Sequence, residues 1–270
     1  MLKTAFFNDS FVDLDKLYIH GTDLGLHRGY GIFDFFKIRN RSNPWIDWYF
    51  ERLFNSLSQT RLSVSFDQEG LLDIMDELLT RNEVVDAYLK IVVTAGYSSN
   101  GYTRSHNDNM MIYAMPLPQA DINSVATSVL ITDEYRRDIP LVKTTNYMRS
   151  CILQPEMKAA DAIDVLFHKE SEISEASRSN IFVIKDGKVC TPDKHILHGI
   201  TRRRVLSVEN SNIDIEERTI SLDETMAADE VFITSSTKGI MPITAIDGKQ
   251  IGNGKTGPIS KTLMSSINNF

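Results

Sequence analysis

Cysteine is almost missing from this 270-residue chain: Cys151 and Cys190 are its whole supply. Two are too few for a disulfide framework or a cysteine-rich metal cluster, so both read as ordinary thiols. Long apolar runs are missing too. Nothing approaches the ~20 consecutive apolar residues that span a bilayer, and residues 1–10 lack the apolar core of a signal peptide, so the expectation is a cytoplasmic protein that does not engage a membrane. Charge of one sign does not accumulate. Twenty-nine Lys+Arg stand against 36 Asp+Glu, a formal net charge of -7 with no long run, which argues against a broad nucleic-acid-binding face. The six histidines show no metal-ligand spacing; His195 and His198 lie three apart without an acid to complete a set, and read as loop residues with no metal expected. There is no Gly-x-Gly-x-x-Gly after a strand, no Gly-x-Ser-x-Gly elbow and no repeat, which disfavours a dinucleotide fold, a serine hydrolase and a solenoid.

What is present is enough apolar material, 42% of residues, for a substantial core. Strand-like runs at 32–38, 87–95 and 110–115 alternate with helical spacing over 45–62 and 68–81. In the first helix Trp48, Arg52, Asn55 and Gln59 fall on one face at three-to-four spacing, polar at Arg52. Met115-Pro116-Leu117-Pro118-Gln119-Ala120 holds two prolines around one residue and reads as an extended connector. It divides the chain into a smaller α/β domain, 1–115, a linker, 116–120, and a larger domain, 121–270. The larger part reads as a β-branched stretch at 125–132, a helix over 149–160, strands around 165 and 181–184, a tight hairpin at Lys185-Asp186-Gly187-Lys188, a helix over 199–208, and strands at 230–234 and 240–246. Helices and strands interleave without a regular βαβ rhythm, so the fold class is α+β with two lobes.

Four segments carry chemistry. Lys143, after Leu141-Val142 and before Thr144-Thr145-Asn146-Tyr147, is placed to present an amine at a strand end, although a lysine there is also what an exposed loop would carry. Glu175 sits among hydroxyls in 174–180 and leads into an apolar strand, so it reads either as an anchored carboxylate or as a solvated acid in a turn. Gly199-Ile200-Thr201 opens a helix, where unpaired N–H groups and the dipole favour a phosphate. Ser235-Ser236-Thr237-Lys238-Gly239 follows a strand with three hydroxyls. Caps and turns of this kind are commonplace singly. An amine, an acid and two phosphate-sized nests together form the set needed to hold pyridoxal 5'-phosphate, with the acid keeping its ring nitrogen protonated.

In order and wording, Lys143–Tyr147, Ser174–Phe182 and Gly199–Arg203 resemble the class IV, fold type IV, pyridoxal-phosphate enzymes, which include branched-chain and D-amino acid aminotransferases and aminodeoxychorismate lyase. The resemblance implies a two-domain enzyme that moves an amino group between an amino acid, branched-chain ones included, and a 2-oxo acid. It implies that Lys143 forms the Schiff base, that Glu175 pairs with the ring nitrogen and that Tyr147 lies near the phenolic oxygen. Arg52, Ile200, Thr201, Ser236 and Thr237 are implied at the phosphate. Arg28-Gly29-Tyr30-Gly31-Ile32-Phe33-Asp34 resembles the family's substrate-side strand, with Tyr30 where the family has Asp and Asp34 where it has Glu. Arg28, Phe33 and Phe35 are implied at the substrate pocket, and Arg104 at a substrate carboxylate. Lys238-Gly239 departs from the usual loop of the last motif. A homodimer is implied by resemblance alone. Two alternatives stand beside the aminotransferase: a lyase acting on aminodeoxychorismate, to which the cofactor motifs fit equally while Asp34 tilts towards the aminotransferase, and a catalytically silent relative that binds the cofactor.

Overall fold

The computed structural model describes residues 2–117, 128–208 and 213–267; part of the expected linker, 118–120, and the start of the β-branched stretch, 125–127, lie outside them. Contacts divide the chain into two compact units, Met1–Gln119 with Val142–Asn146, and Ala120–Leu141 with Tyr147–Phe270.

The first unit is built on β1 (Thr4–Phe7), β2 (Ser10–Asp13), a short α1 (Leu24–Arg28), β3 (Gly31–Ile38), α2 (Ile46–Thr60), α3 (Gln68–Arg81), β4 (Ala87–Thr94) and β5 (Asn109–Met115). Its strands form one antiparallel sheet in the order β2-β1-β5-β4-β3. Alternation explains β3: Ile32, Asp34, Phe36 and Ile38 are buried, while Phe33, Phe35 and Lys37 turn to a half-covered face. Helix α3 starts where the Asp67 carboxylate accepts the Gly70 N–H at 2.9 Å, and buries Leu71, Ile74, Met75, Leu78 and Leu79 at three-to-four spacing. Helix α2 turns differently from expectation. Its buried stripe is Tyr49, Phe50, Arg52, Leu53, Ser56 and Leu57, so Arg52 points inward while Asn55 and Gln59 are exposed.

Sequence order puts Lys143 with the later, larger domain, yet residues 142–146 cluster with the first unit. The Phe33 N–H donates to the Lys143 carbonyl at 2.9 Å, the Thr145 N–H to the Gly31 carbonyl at 2.9 Å, and Ile32 bridges Thr144. Strand β3 is the edge of its sheet, and its open row of backbone groups takes up this segment.

The second unit contains β6 (Val129–Glu134), α4 (Met148–Ile152), α5 (Gln154–Ala159), β7 (Asp164–Lys169), β8 (Glu172–Ala176), β9 (Asn180–Lys185), β10 (Lys188–Thr191), α6 (Ile200–Leu206), β11 (Ile215–Glu217), α7 (Leu222–Met226), β12 (Glu230–Ser235), β13 (Gly239–Ile243), β14 (Ala245–Ile246), β15 (Lys249–Gln250) and α8 (Pro258–Ile267). Two sheets result, β11-β10-β9-β12-β13 and β15-β14-β6-β7-β8. One cluster of Leu130, Leu166, Ile181, Val183, Val231 and Ile233 joins residues of both sheets, and a second packs Val205 of α6 and Leu263 and Ile267 of α8 against Phe182 and Phe232. The β9–β10 hairpin forms as expected: Asp186 and Gly187 both take positive φ, at 48° and 77°, the primed geometry that suits a two-residue turn. Two single elements expected from sequence are each two. The 149–160 helix breaks at Leu153 because Pro155 occupies the first turn of a new helix and cannot continue the previous one. The 240–246 strand changes sheet at Thr244, whose N–H goes to the Ser128 carbonyl at 2.9 Å. Pro242 is accommodated because β13 is an edge.

Candidate active site

On the first unit, the half-covered face of β3 sets the surroundings of Lys143. Its ammonium stands 4.6 Å from the centre of the Phe33 ring, and a second one, that of Lys90, stands 4.9 Å from the same ring. Phe35 stacks on Tyr88 at 4.9 Å. Lys90 was not foreseen, although it is the one charged residue in the apolar strand β4 and lies opposite Phe35 in register.

The three arginines expected near phosphate or substrate are each held locally. Arg52 grips the buried Asp34 with Nε at 2.9 Å and Nη2 at 2.6 Å, so two of its five donors are committed to a carboxylate. Asp34, noted in the sequence only as a stand-in for glutamate, is its counter-ion. Arg104 forks onto Asp108 at 2.6 and 3.2 Å, and Asp108 also takes the Ser63 N–H. Arg28 is exposed at the end of α1 and donates to the His27 carbonyl at 3.0 Å. Tyr30 directs its hydroxyl to the Thr60 carbonyl at 2.6 Å.

On the second unit, hydrogen bonds link Glu175, the segment before α6 and the end of β12. Glu175, at the end of β8, is only 5% exposed, which removes the reading of a solvated turn acid. Arg137 Nε donates to its Oε1 at 2.7 Å, and the Leu197 N–H to its Oε2 at 2.9 Å. A buried carboxylate with a guanidinium on one oxygen and an amide on the other is stabilised as the anion. Arg137 is fixed in turn by the Pro140 carbonyl at 2.5 Å. The Leu197 carbonyl accepts from Asn180 Nδ2 at 2.7 Å, and Asn180 pairs with Thr234 at the end of β12. A Cβ on Gly199 would meet Asn180 Oδ1 at 2.2 Å, so only glycine allows the start of α6 to lie this close. That start has no side-chain cap, which leaves the first-turn N–H groups at Ile200 and Thr201 to another acceptor. Ser236, Thr237 and Lys238 form the turn between β12 and β13, closed by the Ser235–Gly239 pair. Tyr147 is half-buried at the start of α4.

Lys238, in that turn, lies 3.5 Å from the fully buried Asp164. Burial pushes its ammonium below the ordinary lysine value, Asp164 opposes the shift and Arg178 adds to it. Neither Arg137 nor Asp164 was picked out from sequence. The adjacent arginines 136 and 137 shortly before Lys143 were the available signal for the first; nothing local distinguishes Asp164 from the other acids.

The family model described as amino-transferase class IV matches residues 31–246. The chain belongs to the class IV aminotransferases. It is 27% identical over 269 residues to a D-alanine aminotransferase of Bacillus licheniformis, covering 97% of this chain and 95% of that one. It is 28% identical over 267 residues to a putative branched-chain-amino-acid aminotransferase of Methanocaldococcus jannaschii, covering 96% and 93%. In fold it matches the crystal structure of a branched-chain amino acid aminotransferase of T.th. with pyridoxamine 5'-phosphate, at a TM-score of 0.86 and 23% identity over 98% of this chain and 92% of that one. Fold type IV is thereby established. Pyridoxal 5'-phosphate is the cofactor of the family, and the second unit's residues fit it: a buried acid for a ring nitrogen, a helix start without a side-chain cap that Gly199 lets lie against Asn180, and a hydroxyl-bearing turn. No helix among the described residues is long and apolar enough to cross a membrane, and no cluster of metal-binding side chains occurs among them.

Proposed function

We propose that this class IV aminotransferase uses Lys143 as its Schiff-base residue to move an amino group from an amino acid to a 2-oxo acid. The observation that carries the reading is Glu175, buried and locked as an anion by Arg137 and Leu197 beside the open start of α6. When bound, pyridoxal phosphate supplies an aldehyde for the substrate amine and a ring that withdraws electrons from the α-carbon. Lys143 Nζ takes the α-proton and returns it, ordinary general acid–base work for which ~10²–10⁴-fold is typical. Glu175 holds the proton on the ring nitrogen, and Arg137 prevents Glu175 from taking it. Ile200, Thr201, Ser236 and Thr237 bind phosphate through N–H and hydroxyl donors, and the resemblance assigns Arg52 to the same phosphate as its guanidinium partner. Tyr147 serves the phenolic oxygen. Arg28, Phe33 and Phe35 border the substrate pocket, and Arg104 is assigned to the substrate carboxylate, which requires it to exchange Asp108 for the ligand.

A cytoplasmic homodimer is part of the same proposal. Two cysteines are too few for the disulfide framework of a secreted domain, which supports a reducing compartment. Exposed Tyr18, Leu26, Tyr97 and Tyr102, with Tyr97 tied to the 20–23 segment by the Asp23–Tyr97 bridge and the His20–Tyr97 ring contact, support a surface that a second copy covers.

Incubation with a panel of D- and L-amino acids, branched-chain ones included, and 2-oxoglutarate or pyruvate tests the activity. The expected result is conversion of the cofactor band to its pyridoxamine form with at least one donor and its return with the acceptor. No conversion with any donor overturns the aminotransferase, and pyruvate release from aminodeoxychorismate instead would establish the lyase.

A further inference from the structure

A turn of small hydroxylated residues has no intrinsic reason to keep one shape, because Ser, Thr and Gly suit many turns and their hydroxyls bond equally to neighbours or water. Residues 235–239 are tied from outside. Lys238 Nζ reaches Asp164 Oδ2 at 3.5 Å, while the Lys238 N–H donates back to Ser235 Oγ at 3.2 Å, and Ser235 Oγ lies 3.3 Å from Thr237 Oγ1. One residue is thus fastened at both its backbone and its side-chain end. Asp164 opens β7 and is fully buried. Besides Lys238 it takes the Val165 N–H at 2.9 Å, the Ser177 hydroxyl and the Ser179 hydroxyl at 3.4 Å. Ser177 and Ser179 stand just beyond Glu175, so this one carboxylate links the turn that carries Ser236 and Thr237 to the segment that carries the ring-nitrogen acid. Arg178 Nε also faces it at 3.9 Å. Two cations against one anion leave positive charge beside the turn.

We propose that Lys238 is a positioning residue for anion binding: its bridge to Asp164 fixes the 235–239 turn in the shape in which Ser236 and Thr237 receive the phosphate monoester of the cofactor. The inference rests on the reading of this region as the pyridoxal-phosphate site. A purely structural ion pair predicts something different. With Asp164 wholly buried and the Lys238 side chain only 20% exposed, breaking the pair strands a charge, weakens folding and loosens every ligand alike. A positioning role acts on the phosphate and leaves the rest of the ligand alone.

Dissociation constants for pyridoxal phosphate and for pyridoxal, which lacks the phosphate, separate the two. They are measured spectroscopically on the full chain, first freed of cofactor, in the wild type, Lys238→Met, Lys238→Arg and the double variant Lys238→Met/Asp164→Asn. Loss of one charge-assisted contact in Lys238→Met weakens pyridoxal phosphate roughly tenfold and pyridoxal by less than about twofold. Lys238→Arg keeps the phosphate preference. The double variant, with no stranded charge, melts near the wild type but still lacks the preference. Equal weakening of both ligands, or a double variant that regains the preference, overturns the proposal. Borohydride trapping of the wild type alongside distinguishes the failures: no label on Lys143 refutes the reading of the site, whereas a labelled Lys143 with unchanged preference in Lys238→Met refutes the positioning role alone.

Discussion

Replacing Asp34 by asparagine keeps the shape of the side chain and removes its charge, which isolates what the Arg52–Asp34 pair contributes. The two side chains are 8% and 1% exposed, and both carboxylate oxygens are engaged, at 2.6 and 2.9 Å. Two charges taken out of water are expensive, and their attraction offsets that cost only while both are present, so removing one partner costs about 3–5 kcal/mol. Asp34→Asn strands a guanidinium in the stripe of α2 that also buries Leu53 and Leu57. At about 2–4 °C per kcal/mol for a chain of this size, the midpoint falls by roughly 6–20 °C. Arg52→Met strands the carboxylate and falls by a similar amount. The double variant Arg52→Met/Asp34→Asn buries no charge, so its loss is smaller than the sum of the single losses by a coupling of about 0.5–3 kcal/mol. Urea unfolding followed by circular dichroism gives all four stabilities. Strict additivity, or an Asp34→Asn chain as stable as the wild type, would refute the argument that the two buried charges depend on each other.

Three further outcomes are expected. Glu230 accepts the Ile259 and Ser260 N–H groups at 3.1 and 2.8 Å at the start of α8, so Glu230→Ala leaves buried donors unsatisfied and costs about 1–3 kcal/mol by urea unfolding. Gly199→Ala drives a methyl into Asn180 Oδ1 and weakens pyridoxal-phosphate binding more than it lowers the melting point, read by cofactor titration alongside calorimetry. Its hydrogen bond to Arg218 holds the Glu224 carboxyl below the ordinary value of 4.5, so the pair's stabilisation is present above that pH and is lost as pH falls through the lowered value. The melting-point gap between wild type and Glu224→Gln therefore closes under acid.

Elements whose cause is local were legible from sequence. Helix α3 falls on residues 68–81 as its apolar spacing requires, and the Asp186–Gly187 turn carries its own backbone signal. Pro155 was an equally local signal and argued against one helix over 149–160. The sheet change at Thr244 was not legible, because an apolar run carries no mark of which neighbour each half will pair with. The site divides along the same line. Glu175 and the segments 199–201 and 235–239 stand out in the sequence because each adjoins a strand end or a helix start, while the roles of Ile200, Thr201, Ser236 and Thr237 come only from the resemblance. The partners do not stand out: Arg137 is 38 residues from Glu175, and Asp164 is 74 from Lys238. Arg52 shows the limit of a helical face read from spacing. The same periodicity that grouped it with Asn55 and Gln59 also fits the stripe in which Asp34 holds it.

Sodium borohydride reduction of the protein with its cofactor, followed by proteolysis and mass spectrometry, tests the central assignment most directly. The account predicts a single phosphopyridoxyl adduct on the peptide containing Lys143, abolished in Lys143→Ala. An adduct on Lys90, Lys238 or any other lysine, with Lys143 unmodified, would contradict it.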